Sequence, residues 1–492
     1  MTLFKFLKYI FSISTVVAFF SFTGGGVNDK EETIQIGNRR EIFVDHYLID
    51  KLTNTKIVLH TPHNEGVVLK FDKPWEGSFC AYGTIIKDGD LFRAYYRGNP
   101  TATKDGSITE VTCYAESKDG VNWKKPDLKI YTVDGTKNNN VVLANEAPAS
   151  HNFSPFIDAN PDVKPGQKYK ALAGIDKSGL IAFVSSDGIH WKRLQQKAVF
   201  TKGVFDSQNV SFWSESEKQY VCYFRTWSEG GFTQYKGFRS VSRTTSKDFI
   251  NWTEPVAMTF GDTPYEHLYT QQTSPYFRAP HIYLAIGARF MPNRQVVSED
   301  QAKKLNVNPQ YYKDCSDAIF MSSRGGNQYD RTFMESFIRP GIGLENWVSR
   351  SNYPALNVVQ TGPAEMSVFV NENYAQPTAN MKRYSLRLDG FTSINAPYSG
   401  GEVLTKPFTF TGQELEINYS TSAAGEIRIE IQDENGTPIP GLTMDDAQSI
   451  IGNEIKRIVS WKGNENVKAL ASKPVRLHIY IKDADLYSLK FN

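Results

Sequence analysis

Four carboxylates on strand-like stretches are the acidic groups that folding could gather in one pocket: Glu76 in KPWEGSF, Asp158 in FIDAN, Asp206 in FDSQN and Glu365 in GPAEMS. Asp45, in FVDHY, stands ahead of them. Two carboxyl groups about 5–9 Å apart, one protonated and one ionised, are what acid–base cleavage of an acetal requires. Asp206 ranks first, because Gln208 and Asn209 follow it with amides suited to a hydroxyl-rich ligand, and Glu365 ranks second. For each of them, capping a turn or pairing with an arginine is the competing structural role. A different chemistry is written into EHLYTQQTSPYFRAPHIYLAIGARFMPNR, which concentrates Glu266, His267, Tyr269, Gln271, Tyr276, Arg278, His281, Arg289 and Arg294. Guanidinium forks pair with carboxylate or sulfate, and His and Tyr give or take protons. The expected catalytic groups are therefore Asp206, Glu365, His267, His281 and Tyr269. Glu76, His151, Gln208, Asn209, Gln271, Tyr276, Arg278 and Arg289 are expected to bind the ligand.

Bringing such distant positions together requires a repeated architecture. One pattern recurs as ESKDGVNWKKP around Trp123, SSDGIHWKRL around Trp191, TSKDFINWTEP around Trp252 and, more weakly, SSRGGNQYDRTF around Tyr329. The Asp-Gly turn reverses a hairpin, and the aromatic after it is expected to pack between neighbouring repeats. Ahead of each turn runs an alternating strand: LFRAYYRG, KYKALAGI, QYVCYFRTW, HIYLAIGARF and, for a fifth unit, RYSLRLDGF. Five such strands predict an all-β fold, a five-bladed β-propeller. The strands before them, SFCAYGTIIKDG, HNFSPFIDANP, FDSQNVSFWSE, LYTQQTSPYFRAP and TGPAEMSVFVNENY, are expected to line the central channel, with their first residues facing a common funnel. After Phe391 the repeat gives way to short alternating strands such as GEIRIEIQD and VRLHIYIKDADLYSLKF, which read as a β-sandwich. The expected division is a propeller over residues 30–384 and a sandwich over 385–492.

The first 26 residues place Lys5 and Lys8 before an apolar stretch that ends in small residues, the layout of a signal peptide for export to the periplasm or beyond. A retained membrane anchor is the alternative. The net charge of +2 on 492 residues, with no Lys/Arg-rich run, argues against a nucleic-acid partner. Nothing implies a protein partner. Aromatics at 13% suit stacking on sugar faces as well as strand packing. Cys80, Cys113, Cys222 and Cys315 lack metal-ligand spacing and read as buried apolar residues, so no metal site is expected and no cofactor is required.

The phrases EIFVDHYLID, DKPWEGSFCAYGT, FDSQNVSFW, SPYFRAPHIYLAIGARF, SSRGGNQYDRTFMESFIRPG and YSLRLDGF resemble an exported bacterial group similar to glycoside hydrolase family 32, and the propeller alone resembles family 43. The resemblance implies a carbohydrate-active enzyme with its site in the funnel and, for some relatives, a calcium ion on the propeller axis. The carboxylate motifs of family 32 are absent from this chain, so its catalytic residues do not transfer. Glycoside hydrolysis at the non-reducing end of an acidic oligosaccharide, from a uronate-containing and in some sources sulfated algal polysaccharide of the ulvan type, is the expected activity. Two alternatives stay open: elimination of water at C4–C5 of a terminal uronate, and sugar binding without catalysis. A carboxylate pair across the funnel would favour hydrolysis, and an arginine facing His or Tyr without such a pair would favour elimination.

Overall fold

The computed structural model describes residues 33–232 and 234–492, so the expected signal peptide at 1–26 lies outside the described residues. Five antiparallel sheets of about four strands form a five-bladed propeller, and a further sheet system forms a β-sandwich. Blade 1 runs through Ala81–Asp88, Leu91–Gly98 and Val111–Ser117, with Trp123–Lys124 and Val141–Leu143 sharing its outer edge. Blade 2 is Ser154–Ile157, Tyr169–Ala173, Ile181–Ser185 and Lys192–Arg193, and blade 3 is Val210–Ser214, Gln219–Trp227, Arg239–Ser246 and Val256–Ala257. Blade 4 begins with Leu268–Thr270 and Thr273–Tyr276, interrupted at Gln271 and Gln272, and continues through Ala279–Met291 and Cys315–Ser323.

Blade 5 departs from expectation by one strand. TGPAEMSVFVNENY holds the second strand, Glu365–Glu372, while Tyr353–Pro354 and Val359–Gln360 take the inner position. The inner strand is short and carries a proline, so it lacks the alternation that marks a strand in sequence. The outermost strand is His63–Lys70, paired with Asn380–Arg387, so the N-terminal end of the propeller closes the ring on its C-terminal end.

The chain before that closing strand does not belong to the propeller. Ile34–Gly37, Glu41–Ile42, Ile49–Thr53 and Lys56–Leu59 pair with strands of the C-terminal part, which corrects their expected place. The sandwich is organised by two long antiparallel strands, Leu415–Asp433 and Val475–Phe491, bent at bulges near Tyr419 and between Thr421 and Glu426. Alternation does what period two requires: Ile427, Ile429 and Ile431 face Leu477, Ile479 and Ile481 in a fully buried core.

The recurring turn is built the same way three times. Asp119 Oδ1 accepts the backbone N–H groups of Val121 and Asn122, both at 2.8 Å. Asp187 does so for Ile189 and His190, and Asp248 for Ile250 and Asn251. The residue after each Asp must adopt a left-handed backbone: Gly120 and Gly188 do so freely, whereas Phe249 holds φ +66 because its ring is packed on Trp252 and on Phe156 of blade 2. Trp123 packs on Phe369 of blade 5, and Trp191 on Tyr95 of blade 1, which seals neighbouring blades as anticipated. Cys80, Cys113, Cys222 and Cys315 are free and buried.

These turns carry an acid-stability signature. In Asp248, burial opposes ionisation, but the Asn251 and Ile250 amides outweigh it and bring the carboxyl down to about 2. Asp119 and Asp187 are lowered in the same sense. A depressed carboxyl stabilises the fold above its unfolded value, near 3.9, and that contribution is lost as the pH falls through the folded value. Thermal unfolding of Asp248→Asn should therefore lose less stability than the natural chain between pH 4 and pH 2; parallel curves would disprove the assignment.

Candidate active site

The first residues of the inner strands converge at one end of the channel, and there they make an aromatic and cationic funnel. Tyr269 sits at its centre. Its ring lies 4.3 Å from the Arg225 guanidinium carbon, 5.2 Å from that of Arg239 and 5.4 Å from that of Arg350. Tyr353 and Phe290 pack on the same ring at 5.2 and 5.5 Å. Across from it, Arg97 covers Tyr82 at 4.7 Å and donates to the Tyr374 hydroxyl at 3.0 Å. Tyr311 completes the wall, 5.0 Å from Arg350 and 5.5 Å from Tyr374.

Charge in this funnel is unbalanced. Arg225 Nη1 donates to Asp206 at 2.8 Å, and Asp206 remains 27% exposed at the mouth. Arg97, Arg239 and Arg350 have no carboxylate within ion-pair distance among the described residues. Arg97 is buried, held by the Phe79 carbonyl and the Asn152 amide oxygen, and the Nε atoms of Arg97, Arg225 and Arg239 have no partner. Buried cations normally come paired. Burial pushes the Tyr82 and Tyr353 hydroxyls well up, with Tyr269 adding to both, and the Tyr353 hydroxyl has no hydrogen-bond partner. Tyr82 and Arg350 also hold positive φ, +55 and +61, a conformation that costs energy for such residues and gathers at ligand-binding sites.

Of the expected catalytic groups, Asp206 and Tyr269 stand in the funnel and His267 stands at its rim. The His267 Nδ1 accepts the Arg239 backbone N–H at 3.1 Å, and burial together with the Arg239 charge lowers its pKa. With Nδ1 occupied as an acceptor, the neutral ring carries its proton on Nε2 and can donate from there. Glu365 is not there. It lies on the second strand of blade 5 and pairs with Arg383 and Thr361 on the opposite face. His281 is absent too: its Nε2 meets Glu41 at 2.9 Å where the sandwich docks on the propeller.

The separation follows from strand length. From Tyr269 to Tyr276 the inner strand of blade 4 travels up to about 23 Å at roughly 3.3 Å per residue, so one short sequence cluster spans two faces of the molecule. Tyr276 gives its hydroxyl to Asp389, and Arg278 approaches the same carboxylate at 3.4 Å, both on the sandwich side. Arg289 returns to the funnel face but is committed to Asp317 and Glu266, at 2.6 and 2.7 Å.

The remaining expected binding groups mostly build the scaffold. Glu76 is fully buried between Tyr96 and Lys125, and Asp158 is held by Lys170 and Tyr220. Asp45 pairs with Arg324. His151, also fully buried, bonds Glu110 at 2.9 Å behind Arg97. Gln208 closes the axis, donating to Thr84 and accepting from Gln272 at 2.7 Å, while Gln271 shapes the break in blade 4 and Asn209 ties back to the Phe205 and Ser207 carbonyls. The side-chain oxygens of Asn209 and Gln272 in this amide plug are buried without a hydrogen-bond partner, and amide oxygens of this kind are among the ligands that the implied axial calcium accepts; no group of three His, Cys, Asp or Glu stands in ligating geometry among the described residues.

Arg97, Arg225, Arg239, Arg350, Tyr82, Tyr311, Tyr353 and Tyr374 were not singled out by the sequence. One signal pointed to two of them: YYRG and YFRTW end the second strands of blades 1 and 3 with arginine at matching places, beside the start of the inner strands. Because Glu365 lies outside the funnel, Glu365→Gln should leave ligand affinity and any reaction rate within a few-fold of the natural chain while lowering the melting temperature slightly; loss of function at unchanged stability would contradict this placement.

No family model matches the chain, and no curated protein matches it. Solved structures of similar architecture include a family 43 arabinoxylan arabinofuranohydrolase from Bacillus subtilis in complex with cellotetraose, at 10% identity and a TM-score of 0.41, covering 88% of this chain and 99% of that one. A fructofuranosidase from Schwanniomyces occidentalis complexed with fructosylnystose gives 12% identity and a TM-score of 0.39, covering 88% and 98%. A glycosidase structure from Bacteroides thetaiotaomicron gives 15% and 0.42, covering 66% and 96%. An N-acetylgalactosamine deacetylase from F. plautii in complex with blood group B trisaccharide is also similar, at 14% identity and a TM-score of 0.41, covering 74% and 96%. The chemistry of this chain's site has to come from its own residues.

Proposed function

We propose that the protein is a carbohydrate-active enzyme that binds the carboxylate-bearing sugar at the end of an acidic oligosaccharide and eliminates across C4–C5 of that residue. The observation that supports this reading is the set of funnel arginines without carboxylate partners, Arg239 and Arg350 on the Tyr269 ring and Arg97 on the Tyr82 ring. Arg239 and Arg350 pair with the uronate carboxylate and stabilise the negative charge that develops on it when C5 loses its proton. The Tyr269 oxygen takes that proton as its own hydroxyl proton passes to the C4 oxygen, so the tyrosine ends as it began. The C5–H electrons form the C4=C5 bond, the C4–O bond breaks, and the departing oxygen, carrying the proton from Tyr269, leaves as water, giving an unsaturated terminal uronate. The aromatic walls stack on the sugar face. Export through residues 1–26 belongs to the same proposal, since such polysaccharides are met outside the cytoplasm.

Hydrolysis is the second reading, favoured by one observation: Asp206 presents a carboxylate that stays 27% exposed at the funnel mouth beside Arg225. Asp206 would then be one of the two acid–base carboxylates. The two readings separate on uronate-terminated oligosaccharides. Elimination loses water and raises ultraviolet absorbance from the conjugated product, whereas hydrolysis gains water, makes a new reducing end and fails in Asp206→Asn. A gain of water without absorbance would overturn the first reading.

A further inference from the structure

Beside the funnel, on the same face, lies a cavity of about 780 Å³ that no part of the reaction above uses. It shares His267 and Phe290 with the funnel rim, and Phe290 carries the Arg239 guanidinium on its ring at 4.8 Å. One wall is an aromatic platform: Phe238 and Tyr265 stack at 6.1 Å with 16° between their planes, and both are exposed. Trp347 also lines the cavity, its indole N–H held by the Gly341 carbonyl. Arg294 and Arg339 line the cavity and have no ion-pair partner among the described residues. Arg289, in contrast, is spent on Asp317 and Glu266 and only shapes the wall.

We propose that this cavity is a second saccharide subsite, taking a sugar that carries an oxyanion, either a sulfate ester or a carboxylate. The volume is within the roughly 300–1,000 Å³ of ligand pockets, flat rings suit the sugar face, and two unpaired guanidiniums suit the oxyanion. The shared Phe290 and His267 make the cavity continuous with the funnel, so a chain whose terminal residue fills the funnel lays a later residue here. The inference rests on the reading above for the nature of that chain. It implies that oligosaccharide length and charge set affinity through Arg294 and Arg339, away from the reacting atoms.

The test is calorimetry on the full chain as Tyr269→Phe, so that ligand is not consumed, with and without the added pair Arg294→Ala and Arg339→Ala. Both of those side chains are exposed, so the fold is spared. Uronate-containing disaccharides and tetrasaccharides are the probes, each sulfated and desulfated. The tetrasaccharide should bind about tenfold tighter than the disaccharide, an advantage that the double variant erases, as expected for loss of charge-assisted contacts. If desulfation alone removes the advantage, the oxyanion is sulfate; if not, it is carboxylate. A length advantage that survives the double variant, or equal weakening of both ligands, overturns the subsite. Failure of the disaccharide to bind sinks the funnel reading instead. The cavity is then judged by a sulfated monosaccharide, whose binding must be lost in the double variant for the subsite to stand.

Discussion

Tyr269→Phe should lower kcat by about 10²–10⁴-fold, the usual contribution of a positioned acid–base group, while leaving substrate affinity and melting temperature nearly unchanged. The substitution is mild for the scaffold. Packing on Tyr353 and Phe290 and the cover from Arg225 involve the ring, which phenylalanine keeps. The bonds from Ser207 and Arg225 end on the Tyr269 carbonyl, which belongs to the backbone. No hydrogen bond of the Tyr269 hydroxyl exists among the described residues, so its removal breaks nothing in the free protein. Rates followed by product absorbance, with affinity measured separately, check the expectation. A kcat within a few-fold of the natural value would take proton transfer away from Tyr269.

Arg350→Met is the second large effect. Removing one partner of a desolvated charge pair costs about 2–5 kcal/mol, which weakens binding by roughly 30- to 5,000-fold. The loss should appear only with the free uronate. On the methyl ester, which carries no charge for Arg350 to meet, the variant and the natural chain should bind alike. The free protein offers an independent readout, because methionine fills the space between Tyr269 and Tyr311 without a half-buried, unpaired cation. Its melting temperature should rise, as expected where charge is kept for function at the expense of stability. Equal weakening of acid and ester would show that Arg350 only supports the wall.

How much of this was legible in the sequence differs between architecture and site. The turns around Trp123, Trp191 and Trp252 exposed blades 1 to 3, because an aspartate that binds two successive amides and a left-handed residue after it is a strong local constraint. Blade 5 lacks that turn and its inner strand holds Pro354, so its strands were expected one place out, which is why Glu365 was assigned to the funnel. The cluster from Glu266 to Arg294 was chemically suggestive, yet nearness in sequence along a strand is distance in space. Tyr269 stayed at the funnel while Tyr276, Arg278 and His281 were carried to the sandwich interface. Arg350 and Tyr311 come from loops with no pattern of their own, and only closure of the ring brings them to Tyr269. The N-terminal strands are another long-range effect: Ile34–Gly37 pairs with Phe408–Phe410, a contact that local alternation does not encode.

The central claim, that an arginine-lined funnel removes the C5 proton of a terminal uronate, is tested most directly with substrate deuterated at C5. If C5–H cleavage limits the chemical step, single-turnover rates should fall several-fold with deuterium and the label should be absent from the unsaturated product. Hydrolysis at the anomeric carbon leaves the C5 bond intact, so an unchanged rate with full retention of deuterium in the released sugar would contradict the account.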